Sequence, residues 1–273
     1  MLSEKRWRSQ VDFPVLRAPQ KNADWPGGRC LRCKLPMTRG RNHNDSMVAM
    51  GKVLLGLGLA LTALALGQSR APAGEPAAEP RSQSMSELDR RVQAFLESRR
   101  GTWRDLNVPE VDGRTLHDLI VENGFTRAVE IGTSTGHSGI WIAWALAKTG
   151  GRLITIEIDP ERHREALRNF QEAGLADYID ARLGDAHELV PRLEGPFDFV
   201  FSDADKEWYT KYLVALWPKL EVGGCFTAHN VAFTRMPGIR EFLDYLDRLP
   251  NAKTTIDDKS RSGLSITCKT AAD

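Results

Sequence analysis

Two polar residues, His229 and Asn230, close the apolar run CFTAHNV at residues 225–231. An imidazole beside a carboxamide is half of a metal site, one member of an acid–base pair, or simply the opening of a turn. A second stretch, FDFVFSDADKEWY, ends on Asp203, Asp205 and Lys206. Carboxylates there either suit a helix N-terminus through its macrodipole or hold a cation. A partly desolvated lysine beside them can take a proton. Three further acids lie at the ends of apolar runs: Glu130 in AVEIGTSTGHSG, Glu157 in ITIEIDPER and Asp185 in LGDAHELVP.

The glycines around Glu130 narrow the ligand. Gly132, Gly136 and Gly139 are spaced G-x-x-x-G-x-x-G, not the G-x-G-x-x-G of a dinucleotide pyrophosphate loop. Glu130, two residues before the first glycine, would repel a pyrophosphate but accept from an ammonium or hydroxyl. That favours a cationic ligand carrying an amino acid, such as S-adenosylmethionine, over NAD. Glu157 is placed to hold both ribose hydroxyls, and Asp185 and Ala186 fall where an adenine would lie. Each acid alone is more often a solvated loop charge, but three falling after successive strands are harder to dismiss.

The elements that must position these residues begin near Ser86, a candidate N-cap for a helix with Leu88, Val92, Phe95 and Leu96 on one face. A second helix is expected over 113–123. Strands RAVEI, RLITIEI, YIDARL, FDFVFSD and GGCFTAHN then alternate with helices over 137–148, 160–173, 186–193 and 206–219. A last helix, 237–248, precedes two strands, 253–257 and 263–269. Alternation of this kind predicts an α/β fold with a doubly wound, mostly parallel seven-stranded sheet and a C-terminal antiparallel hairpin. Ligands of such sheets bind outside the carboxyl ends of the strands, where the candidate residues lie.

The motifs EIGTSTGHS, ITIEIDP, FSDADKEWY and GGCFTAHNV, in this order and spacing, resemble the cation-dependent O-methyltransferases, the group of catechol and caffeoyl-CoA O-methyltransferases. The likeness covers about residues 105–270 and includes NVPEVDG and SGLSITC. It implies a Rossmann-like methyltransferase that moves a methyl group from S-adenosylmethionine to a hydroxyl of a small phenolic or catechol-type acceptor. It also implies cofactor contacts from Val108, Glu130, Gly132, Thr133, Ser138, Glu157 and Ala186. At Asp203 it implies a metal ligand near the cofactor, and at Lys206 the general base. The family pattern at 229–230 is Asp-Asn, both metal ligands; this chain has His-Asn, so Asn230 carries over directly and His229 only as a position. Imidazole suits Mn, Fe, Co, Ni or Zn better than Mg. The rival reading is that the metal is gone and His229 itself is the base. Acceptor choice is expected to depend on the loop AFTRMPG, 232–238, with Trp208 and the segment before Val108.

Lys and Arg (37) nearly balance Asp and Glu (36), which gives no global pull toward nucleic acid or an anionic surface. A homodimer is compatible with the sequence. Four cysteines, Cys30, Cys33, Cys225 and Cys268, are too few and too scattered to predict a disulfide framework. Residues 1–46 read as disordered or as an over-extended reading frame. Within 47–67, Lys52 precedes the apolar run Val53–Leu66, the layout of a signal peptide or membrane anchor; that run is the chain's one expected link to a membrane. Residues 68–85 form a Pro/Ala-rich linker, and 86–273 the catalytic domain. The apolar segment says exported, whereas cofactor supply says cytoplasm. Two other functions share this sheet: an exported non-catalytic or metal-independent domain, and an NAD(P)-linked oxidoreductase, against which the glycine spacing counts.

Overall fold

The computed structural model describes residues 86–103 and 106–272; the expectations for 1–85 lie outside the described residues. The seven strands are β1 (Arg127–Ile131), β2 (Arg152–Glu157), β3 (Ile179–Leu183), β4 (Phe197–Ser202), β5 (Leu220–His229), β6 (Ala252–Asp257) and β7 (Leu264–Lys269). They form one sheet in the order β3-β2-β1-β4-β5-β7-β6. β3 through β5 run parallel, and β7 pairs antiparallel with both β5 and β6. The helices are α1 (Glu87–Ser98), α2 (Glu110–Asn123), α3 (His137–Thr149), α4 (Pro160–Ala173), α5 (Ala186–Leu189), α6 (Tyr209–Leu216) and α7 (Pro237–Leu246). The expected fold class holds. Among the described residues no helix is long and apolar enough to cross a membrane.

Alternation along the central strands builds two cores, one on each face. Val129 and Ile131 of β1, with Val200 and Phe226, pack against Tyr209, Leu213, Leu216 and Phe242 of α6 and α7. Ala128, Phe199 and Phe201 face the other way, onto Leu116 and Ile120 of α2 and Ile142 and Leu146 of α3. A third cluster docks Val92 and Phe95 of α1 on Ile140 and Trp144 of α3 and on Phe170 of α4. Ser86 caps α1 in a reciprocal box with Asp89, as expected. Asp89 also accepts from Trp144 Nε1 at 2.6 Å and pairs with Lys148, tying α1 to α3.

Four elements depart from expectation, the first being α2, which starts at Glu110 instead of 113. The helix over 186–193 is one α-turn followed by a 3₁₀ turn at Val190–Arg192, because Pro191 lacks the N–H that would continue the ladder. The helix over 206–219 is likewise 3₁₀ at both ends, with Pro218 in the second. β5 starts at Leu220 and carries a register irregularity against β4 between Phe197 and Phe199. The β5–β7 register sets Cys225 opposite Cys268, and the two are disulfide-bonded. A separation of 43 residues hid a pair that only the sheet brings together.

Candidate active site

β1 and β4 are neighbours whose connections leave in opposite directions, so a crevice opens at their carboxyl ends. A cavity of about 640 Å³ lies there, lined from the ends of all five parallel strands. β1 contributes Gly132 and Ser134, β2 contributes Glu157 and Ile158, and β3 contributes Asp185, Ala186 and His187. β4 contributes Asp203 to Lys206, and β5 contributes His229 and Asn230. Gly132 has φ of 96°, and a Cβ there would stand 2.7 Å from the Asp203 carbonyl oxygen. Only glycine lets the β1 loop run so close to the end of β4.

At one end of the cavity Glu157 is fixed by its own backbone surroundings. Ser134 N donates to Oε2 at 2.7 Å and Asp159 N to Oε1 at 2.9 Å. Asp185 caps α5 through His187 N at 2.8 Å. His187 stacks on Trp208 with ring centres 3.7 Å apart, which sets Trp208 beside the β3 end of the cavity. Phe233 and Met236 of that loop are exposed and do not line the cavity.

Of the nine expected cofactor residues, Gly132, Glu157, Asp185, Ala186 and Asp203 face this cavity; Val108, Glu130, Thr133 and Ser138 do not. Val108 lines a neighbouring cavity of about 370 Å³ with Trp103, Trp141 and Trp144, and its carbonyl accepts from His137 Nδ1 at 2.9 Å. Thr133 pairs with Thr155 beneath the loop. Glu130 is fully buried. Burial, with Asp203 and Glu157 nearby, outweighs hydrogen bonds from Ser138 and Thr155 and pushes its carboxyl up to about 8. Its Oε1 has no partner among the described residues.

At the other end four ionisable side chains meet. Lys206 Nζ donates to Asp203 Oδ1 at 2.6 Å. Asp203 Oδ2 stands 3.2 Å from His229 Nδ1. On the far side of the ring, Nε2 stands 2.8 Å from Asp112 Oδ2. Asp112 belongs to the first turn of α2, which begins at Glu110 rather than at the expected 113, so the sequence reading left it outside the helix and missed it. Its place in NVPEVDG was the only signal. Burial opposes charge on His229, but the carboxylates of Asp112 and Asp203 outweigh it and push the ring up to about 9. In the metal-free protein the ring is therefore protonated near neutrality, with no lone pair to serve as base. Asp205, not Asp203, does the capping, through Glu207 N at 3.0 Å. Asn230 sits at φ of 63°, a left-handed conformation that asparagine tolerates.

Asp203, His229 and Asn230, the expected metal donors, all line the cavity. Nδ1 and Oδ2 are engaged with each other at 3.2 Å, and Asp203 Oδ1 is engaged by Lys206. Asn230, at the same cavity edge, is the third candidate donor. Among the described residues no group of three His, Cys, Asp or Glu side chains is arranged to hold a metal, so the site depends on this carboxamide.

Known proteins agree with this architecture. The O-methyltransferase family model matches residues 78–236. A catechol O-methyltransferase of Niastella koreensis is 47% identical over 107 residues, 38% of this chain and 48% of that protein. Caffeoyl-CoA O-methyltransferase 1 of Eucalyptus globulus is 34% identical over 133 residues, 47% of this chain and 54% of that protein. The chain spans about half the length of the curated relatives it matches. The O-methyltransferase TomG of Streptomyces achromogenes, solved in complex with SAM, superposes with a TM-score of 0.58 at 27% identity, covering 69% of this chain and 92% of that one.

Proposed function

Because the chain belongs to the O-methyltransferase family, we propose that it transfers a methyl group from S-adenosylmethionine to a hydroxyl of a small phenolic or catechol-type acceptor, with a divalent cation assisting. The observation that carries this is the single cavity with the pinned Glu157 at one end and the Asp203–Lys206–His229 cluster at the other. Glu157 accepts from the cofactor ribose, beside Asp185 and Ala186. The acceptor lies against Lys206 and Asn230. Its oxygen attacks the sulfonium methyl in line; the new C–O bond forms as the C–S bond breaks, and the bonding pair leaves on sulfur. The acceptor proton passes to Lys206 Nζ, which Asp203 orients. Asp203, His229 and Asn230 would hold the cation, with Mn, Fe or Co favoured over Mg. When bound, it lowers the pKa of the acceptor hydroxyl.

A metal-independent reaction with His229 as base is the second reading. The two carboxylates flanking the ring count against it. Calorimetric titration with S-adenosylhomocysteine and with NAD tests the cofactor, and binding of NAD alone would sink the proposal. Methyl transfer to catechol, measured after chelation and then with a panel of divalent ions, tests the rest. Full activity without metal would transfer the reaction to the second reading. The Cys225–Cys268 bond supports an oxidising compartment, as the apolar segment 53–66 does; fractionating cells for the native protein checks it.

A further inference from the structure

We propose that Ser262 selects the acceptor: its hydroxyl binds the second, non-reacting hydroxyl of an aromatic diol and so favours diols over simple phenols. This rests on the methyl-transfer reading above and is independent of the cation. Among the described residues, Ser262 is the one member of the turn between β6 and β7 that lines the cavity. Its carbonyl accepts from Ala232 N at 2.9 Å, two residues past Asn230. That places it at the end of the cavity where Lys206, His229 and Asn230 lie. Glu157, at the end of β2, is on the far side of β1, β4 and β5.

The chemistry follows from what is still free to bind. Lys206 and His229 are engaged with carboxylates, and the Asn107 amide nitrogen donates to Thr135 Oγ1 at 2.8 Å. Ser262 donates its N–H to Ser260 Oγ at 3.2 Å, while its own hydroxyl has no partner among the described residues. A serine hydroxyl both donates and accepts and carries no charge, so it complements an un-ionised hydroxyl. The turn is also held in place before any ligand arrives. Val231 N donates to the Gly263 carbonyl at 3.3 Å. Gly263 has φ of 70°, and a Cβ there would stand 3.0 Å from Ala232 N, so glycine lets the turn close on the end of β5. The Cys225–Cys268 bond fixes β7 on β5 behind it. Because Ser262 is half-buried, water still reaches it when a phenol binds, which limits the penalty for an unmatched hydroxyl.

The test compares methyl transfer to catechol and to phenol, at one fixed cation concentration, in the wild type, Ser262→Ala and Ser262→Thr. Ser262→Ala is expected to lower kcat/KM for catechol roughly three- to tenfold, through KM, and to leave phenol unchanged. Ser262→Thr keeps the hydroxyl and is expected to keep the preference. The dissociation constant for S-adenosylhomocysteine should be the same in all three. Where phenol is not turned over, the same ratio is read from the dissociation constants of the two compounds for the S-adenosylhomocysteine complex. An unchanged catechol-to-phenol ratio in Ser262→Ala, or an equal loss on both compounds, overturns the role of Ser262 and leaves the methyl-transfer reading standing. Transfer to neither compound by the wild type overturns both.

Discussion

Glu157 holds the backbone N–H groups of Ser134 and Asp159 and still faces the cavity. A carboxylate already fixed in this way loses little freedom on accepting ribose hydroxyls. Glu157→Ala is expected to weaken S-adenosylhomocysteine binding by about 1.5–3 kcal/mol; calorimetry showing an unchanged dissociation constant would reduce Glu157 to a loop brace. Lys206→Met should lower turnover roughly a hundredfold and spare cofactor affinity. Normal turnover in that variant across the pH range would remove Lys206 as base. Most of these residues were legible because they follow strands in a fixed order. Asp112 was not, since the helix was expected to start at residue 113, one residue beyond it. Glu130 was legible as a residue but not as a position: its side chain turns under the loop toward Thr155, and nothing in the local sequence distinguishes that from pointing at a ligand.

The helices and strands were read well where apolar period and caps agreed, as in α1, α4 and the central strands. They were misread where proline cut a periodic stretch, at Pro191 and Pro218, and where pairing alone decides, at the bulged start of β5 and the cysteine pair of β5 and β7. The α2–α3 contact belongs with the latter group. Gly113 reads in sequence as a weak point in a helix, yet it is what allows the Trp141 ring to lie against α2. Gly113→Ala improves helix propensity by about 1 kcal/mol. Overpacking against a buried ring costs roughly 1–3 kcal/mol, and the steric effect is expected to win. The variant should melt at lower temperature. A variant more stable than wild type would show that α2 and α3 separate freely at this point.

At the scale of the whole molecule, the buried ionisable groups tie folding to pH. Glu130 keeps its proton in the folded protein up to about 8, against an ordinary value of 4.5. Across that window the folded state binds more protons than the unfolded chain, so stability falls as pH rises. His229 acts in the same direction between 6.5 and about 9, because its charged form is favoured by Asp112 and Asp203 and is lost at high pH. The ligand-free, metal-free protein should therefore be most stable on the acid side of neutrality. Glu130→Gln separates the two contributions, since the amide mimics the neutral acid and cannot ionise. Denaturant midpoints at pH 5, 7 and 8.5 should fall steeply in the wild type, with Glu130 accounting for up to roughly 4 kcal/mol. In Glu130→Gln only the fall assigned to His229, above pH 6.5, should remain. Parallel declines in the two proteins would mean that Glu130 ionises in the fold despite its burial, and that the strand end beneath the cofactor loop admits water or a counter-charge.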